Sequence, residues 1–267
     1  MNDRSESTYV CVVTGASRGI GKATTEELER RGATVVTLGR DAARSTITCD
    51  LASFTSIRAA AAQILERWPR IALLVNNAGV QHLRRTVSVD GIEETLAVNH
   101  LAPFLLTRLL MPALDAGGVG RVLTLSSELA RWGRIDFDDL QQTRRYNGTR
   151  AYLQSKLANI MFTLSLASRL SGSTVSAACV YPGLVVTDLM RERWWWRSRW
   201  LRPLWRAIFS TPNDAARTVV AAATLPAANG CCFTAGGRTV RVPGPALDPA
   251  AQQRLWDETV RLVGVDF

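Results

Sequence analysis

The sequence predicts an α/β fold: a single doubly wound domain with a central parallel sheet. Three observations point to it. Short apolar runs rich in β-branched residues alternate with longer helical patterns, which requires crossover connections and therefore parallel strands. The first run leads directly into Thr14-Gly-Ala-Ser-Arg-Gly-Ile-Gly21, a glycine turn that opens a helix. The length of 267 residues, 47% of them hydrophobic, suits one such domain and its core.

Residues 9–14, 34–38, 71–76, 121–127, 174–181 and 239–242 read as strands, each a compact apolar stretch bounded by polar or glycine residues. Residues 23–31, 53–67, 91–113 and 150–170 carry the spacing of helices. The connection from Arg40 to Thr48 is too short for a crossover helix, so a loop or one turn of helix is expected there. No linker, internal repeat or low-complexity tract divides the chain, and residues 1–267 are expected to form one domain.

Composition narrows the class. The net charge is +9, and all of the 32 basic residues except Lys22 and Lys156 are arginine. An anionic cofactor accounts for part of that charge more simply than nucleic acid does, and no nucleic-acid partner is expected. Cysteines 11, 49, 179, 231 and 232 show neither metal-ligand spacing nor a disulfide framework, so they read as packing residues without a metal. The polar start of the chain lacks the apolar core of a signal peptide, and no stretch reads as a membrane span, so a cytoplasmic protein is expected.

Gly15, Gly19 and Gly21 follow a buried strand and open a helix. Glycines there let the backbone approach a pyrophosphate, while helix N–H groups and the dipole supply positive potential. About twenty residues later, where many dinucleotide folds place an acid for the ribose, the chain has Gly39 and Arg40, with Arg18 in the loop itself. Two guanidiniums suit a 2′-phosphate and favour NADP(H). Asp41 could contact the ribose instead or partly cancel Arg40.

Tyr152 and Lys156 are one helical turn apart and share a face. A phenol of pKa about 10 is a poor proton shuttle at neutral pH, and a nearby ammonium is expected to lower it. Ser126-Ser127 ends a strand where open α/β sheets place ligands, and a serine hydroxyl there can donate to a carbonyl as charge develops. Alternation along the strand puts the two serines on opposite faces without saying which is the site. Asn76-Asn77-Ala78-Gly79 ends another strand with residues small enough to admit a ribose and adenine. Asn99, in an otherwise apolar helix, needs a partner and reads as a structural cap or part of a water relay.

These motifs, in this order, resemble the short-chain dehydrogenase/reductase family over nearly the whole chain, with Tyr181-Pro182-Gly183 completing the set. Within it the retinol-dehydrogenase-like and protochlorophyllide-reductase-like branch is the most similar, on residues 98–108, 133–140, 155–159 and 255–258. The resemblance implies a Rossmann fold. It also implies Tyr152 as general acid in reduction, Lys156 on the nicotinamide ribose, Ser127 rather than Ser126 on the substrate carbonyl, and Asn99 anchoring a relay water. It assigns Asp50 to the adenine and Thr187 to the carboxamide or phosphates, and extends the cofactor contacts to Ser17, Ile20, Leu51, Asn77, Ala78, Gly79, Pro182, Gly183 and Val185. A homodimer through the two long central helices is implied too. Tyr181 departs from the branch, which often has His before Pro-Gly.

Residues 189–209 are dense in Trp and Arg and stand where the family carries its substrate-covering segment. Pro203 is expected to separate two short helices. Three readings stay open: a helical lid over a bulky apolar substrate, a peripheral membrane contact through 191–209, and core packing or a protein contact. The sequence thus predicts an NADP(H)-dependent interconversion of carbonyl and alcohol on a hydrophobic, retinoid-, steroid- or polyketide-like small molecule. The alternative is a non-catalytic NADP(H)-binding scaffold.

Overall fold

The structure, a computed structural model, describes residues 9–183, 210–225, 229–265 and 267. The expected lid at 189–209, Pro203, and the cofactor contacts Val185 and Thr187 lie outside the described residues.

Among these residues the strands are β1 (Val10–Thr14), β2 (Thr34–Gly39), β3 (Ile47–Thr48), β4 (Leu73–Asn76), β5 (Arg121–Leu125), β6 (Ser176–Val180), β7 (Cys232–Thr234) and β8 (Arg238–Thr239). They form one sheet in the order β3-β2-β1-β4-β5-β6-β7-β8, parallel except for the last pair. The order reverses between β1 and β4, which leaves a crevice at their carboxyl ends, the usual ligand position in open α/β sheets. The helices are α1 (Gly19–Arg30), α2 (Phe54–Arg67), α3 (Glu94–Ala116), α4 (Gly148–Arg169), α5 (Pro212–Thr224) and α6 (Pro249–Val263).

The doubly wound expectation is met, with differences at the margins. Strands β3 and β7 were not anticipated, because two or three residues are too few to display a period. The expected strand 239–242 is shorter and shifted, pairing antiparallel with β7. Between β2 and β3 the chain makes one 3₁₀ turn, Ala42–Arg44, as the short connection required. Helix α1 begins at Gly19, so two glycines of the turn lie within its first turn.

Two long helices, α3 and α4, pack beside the sheet. Helix α3 is long and apolar enough to cross a membrane, but most of it is buried inside the fold. Its residues Ala97–Leu101 form a π turn. The C-terminal segment lies across this pair: the Trp256 ring is 4.9 Å from Phe104 and 6.2 Å from Phe162, and Phe267 is 5.1 Å from Phe104. All five cysteines are free thiols, and no group of metal-ligating side chains occurs among the described residues.

Candidate active site

A cleft of about 530 Å³ opens at the carboxyl ends of β1 to β6. Each strand end contributes to its wall: the glycine turn after β1, Gly39 and Arg40 after β2, Asp50 and Leu51 after β3, Asn77 to Val80 after β4, Ser126 after β5 and Pro182 after β6. Tyr152 and Lys156 enter from α4.

The glycine turn is shaped by contacts that exclude a side chain. Gly15 has φ +68°, and a Cβ there would sit 3.0 Å from the Cα of Ala78. A Cβ on Gly21 would collide with the Gly15 carbonyl oxygen and the Asn77 amide. Gly19 differs: its φ is +57°, yet nothing lies within 4 Å of the added Cβ, so its face is open to the cleft. A backbone cradle with an open face at a helix N-terminus fits a pyrophosphate.

Thr14 and Asn77 lock the cradle to β4. The Thr14 hydroxyl accepts from the backbone N–H of Asn77 and of Ala78, both at 3.0 Å, and the Asn77 amide donates to the Thr14 carbonyl at 2.7 Å. Thr14 was not singled out from sequence. A polar residue ending an apolar strand, next to the first glycine, was the available signal.

At the outer end of the cleft, Asp41 caps the 3₁₀ turn through Ala43 N–H and pairs with Arg44 at 3.4 Å. Its carboxylate is therefore engaged by Arg44, while Arg40 lines the cleft, is exposed, and makes no ion pair among the described residues. Arg18, Ser17 and Ile20 also line the wall. Asp50 accepts from Ala52 N–H at 3.0 Å, which orients the start of the β3–α2 turn.

Helix α4 is capped by Asn147, whose side chain accepts from the N–H groups of Thr149 and Arg150. Gly148 is required there because a Cβ would strike the His82 carbonyl. One turn on, Tyr152 faces the cleft, and the Lys156 Nζ sits 5.7 Å from the centre of its ring. Lys156 is buried and donates to the Leu125 carbonyl at 3.1 Å. Burial pulls its pKa down to about 8. Burial also pushes the Tyr152 phenol up, to about 12. The direction is set by desolvation and runs opposite to the lowering expected from the ammonium.

The serines separate on their hydrogen bonds. Ser126 lines the cleft, but its hydroxyl donates to the Lys156 carbonyl at 2.7 Å. Ser127 caps the 3₁₀ turn Glu128–Trp132 by accepting from Leu129 N–H at 3.2 Å. A hydroxyl has one proton; in Ser126 it is committed, whereas Ser127 uses only a lone pair among the described residues. Ser127 is therefore the better donor to a carbonyl, although it is not part of the cleft wall itself.

Asn99, in the π turn of α3, is wholly buried. It accepts from Val80 N–H at 2.7 Å and donates to the Val80 carbonyl at 2.9 Å and to Ser155 Oγ at 3.0 Å. It clamps the β4–α3 loop to α4, the structural-cap half of the expectation. Of the other anticipated residues, Gly183 turns the chain after β6 with φ +84° and does not line the cleft. Val80, Val98, Cys49 and Glu94 line it unanticipated, Glu94 lying 3.5 Å from His82.

Residues 9–198 match the family model for short chain dehydrogenases. The chain belongs to that family. It is 38% identical over 281 residues to human retinol dehydrogenase 13, covering 96% of this chain and 84% of the relative. A crystal structure of an uncharacterised protein from Mycobacterium paratuberculosis is 31% identical, with a TM-score of 0.80 and coverage of 97% of this chain and 94% of that one. A short chain dehydrogenase from Burkholderia cenocepacia, solved in complex with NADP, is 26% identical with a TM-score of 0.66, covering 88% of this chain and 98% of that one. The retinol-dehydrogenase-like branch is the one that the motifs indicated.

Proposed function

We propose that this short-chain dehydrogenase is an NADP(H)-dependent oxidoreductase that interconverts a carbonyl and an alcohol on a hydrophobic, retinoid-like substrate. The single observation that carries this reading is the convergence of Tyr152, Lys156 and the Gly15–Gly21 cradle on one cleft. Retinol dehydrogenase 13 among the relatives and NADP in a similar structure support the substrate class and the cofactor.

The cradle, with Gly19 open and Gly15 and Gly21 closed, would hold the pyrophosphate. Arg40, freed from Asp41, would meet a 2′-phosphate, with Arg18 beside the loop. Asp50, Leu51 and Ala78 would flank the adenine end. When bound, the nicotinamide supplies or accepts the hydride. Tyr152, a neutral phenol in the neutral range, donates its proton to the carbonyl oxygen in reduction. Ser127 donates a hydrogen bond to the same oxygen, and Lys156 orients the ribose. In oxidation Tyr152 would instead receive the proton from the alcohol.

The test is NADPH oxidation by purified protein across retinal and smaller aldehydes and ketones, repeated with NADH. Turnover that rises with substrate size and prefers NADPH supports the reading. NADPH binding with no turnover across the panel favours the scaffold alternative. We also propose a substrate lid at 189–209, a peripheral membrane contact through 191–209 and a homodimer. Binding to anionic liposomes that is lost when Trp194, Trp195 and Trp196 become Ala tests the membrane contact, and light scattering tests the dimer.

A further inference from the structure

Asn99 and His100 are consecutive and both buried in the π turn of α3, and they face different partners. Asn99 reaches the active-site loop at Val80. His100 reaches α6, where its Nε2 lies 2.9 Å from the Thr259 hydroxyl. Its other nitrogen, Nδ1, makes no hydrogen bond that satisfies it, and neither does the side-chain oxygen of Asn159. Buried orphans of this kind are rare in native structures.

One proton assignment makes the two complementary. With the proton on Nδ1, the ring turns a donor towards the Asn159 side chain, which interacts with it, while in the resting geometry the two atoms make no hydrogen bond. Nε2 then accepts from Thr259. The opposite tautomer makes Nε2 the donor and leaves the Nδ1 and Asn159 Oδ1 lone pairs unsatisfied together. Burial holds the imidazole's pKa down at about 4, so the ring is neutral at ordinary pH.

The Asn159 amide leads on to the active site. Its Nδ2 donates at 3.2 Å to the Leu125 carbonyl, the same oxygen that takes Lys156 Nζ at 3.1 Å. The next residue, Ser126, sends its N–H to Val180 on β6, so by alternation the Leu125 carbonyl points to the β4 side. There the pairing has already ended at Asn76↔Thr124, and the oxygen is left to side chains.

We propose that His100 is a positioning residue for Lys156, acting through Asn159. By donating from Nδ1, His100 holds the Asn159 amide with its nitrogen on Leu125, and this keeps the amide oxygen turned away from the lysine. Nζ then keeps its place under the Tyr152 ring. The titratable groups facing Lys156 are Tyr152 on α4 and Cys179 on β6. The uncharged Thr259, Phe162 and Asn159 surround His100. The inference rests on the proposed role of Lys156.

The test combines a tautomer measurement with a pair of variants in the full chain. Imidazole ¹⁵N NMR, with His82→Gln to assign the two histidines, is expected to show His100 protonated on Nδ1. An Nε2–H pattern would overturn the proposal whether or not turnover has been found. In kinetics, His100→Phe keeps the aromatic volume and removes the donor, while His100→Asn places an amide N–H near the position of Nδ1. The first is expected to lower kcat/KM for NADPH-dependent reduction roughly 10-fold, the scale of losing a supporting hydrogen bond at a site. It should also move the alkaline limb of the pH profile upward, since a released Asn159 oxygen favours the ammonium. His100→Asn should return both towards wild type. The reverse order, with Phe tolerated, Asn damaging and the pH limb unmoved, would mean that His100 only fills the core. Absence of turnover in the wild type would count against the proposed function, and the tautomer would still decide this inference.

Discussion

At the β1–β4 end of the cleft the working groups are backbone atoms, held by glycines and by the Thr14–Asn77 lock. At the β5–α4 end they are side chains, and Ser126, Lys156 and Asn99 bond to neighbours distant in sequence. The first end is specified by steric exclusion, so its residues act almost independently. The second is a network in which the role of one hydroxyl or ammonium depends on what its neighbours have already claimed. Loss of one group at the first end should therefore act on cofactor affinity and folding. Loss of one group at the second should act on chemistry and its pH dependence.

The sharpest way to break this contrast is at Gly21. Gly21→Ala drives a methyl into the Gly15 carbonyl and the Asn77 amide, and about 3 kcal/mol of stability should be lost together with NADPH binding. Gly19→Ala meets nothing and bears only its positive φ, so about 1 kcal/mol is expected. Thermal melts and NADPH titration of the two variants check this, and equal losses would contradict a steric cradle. Ser127→Ala should lower kcat roughly 100-fold with cofactor affinity kept, by loss of a donor to the developing oxyanion. Ser126→Ala should cost only about 1 kcal/mol of stability. Steady-state kinetics on both serines would expose the wrong assignment if the order were reversed.

Smaller effects sharpen the comparison. Arg40→Ala should weaken NADPH binding roughly 10-fold, the scale of a charge-assisted hydrogen bond, and leave NADH unchanged; fluorescence titration with both cofactors checks it. Lys156 has its folded pKa lowered from 10.5 to about 8 by burial. Its buried ammonium therefore costs stability below pH 8, and the cost fades as pH rises from about 8 to 10.5. A shift of this size is on the order of 3 kcal/mol. Lys156→Met should therefore melt at a higher temperature than wild type at pH 7 while losing activity, with the gain shrinking above pH 8. A lower melting temperature at pH 7 would show that the hydrogen bond to Leu125 outweighs desolvation.

Legibility followed the same division. The glycine loop, the parallel sheet and the Tyr152–Lys156 pair were readable because glycine sterics, strand periodicity and the helical i, i+4 spacing are local in the chain. What was not readable came from contacts across it. The direction of the Tyr152 shift depends on burial by several elements, and the choice between the serines on a carbonyl thirty residues away. The role of Asn99 depends on Val80, and the fate of Asp41 on Arg44 rather than Arg40. Strands β3 and β7 escaped because their residues are paired by the sheet, not by their own pattern.

The central claim, that Tyr152 supplies the proton and the cofactor is held by other groups, is tested most directly by Tyr152→Phe. NADPH binding and NADPH-dependent reduction of retinal would be measured on the same preparation, with wild type alongside. The account predicts reduction falling by roughly 1,000-fold or more, within the range for loss of a general acid, and a cofactor affinity that barely changes. Retention of most of the wild-type rate in the variant would contradict it.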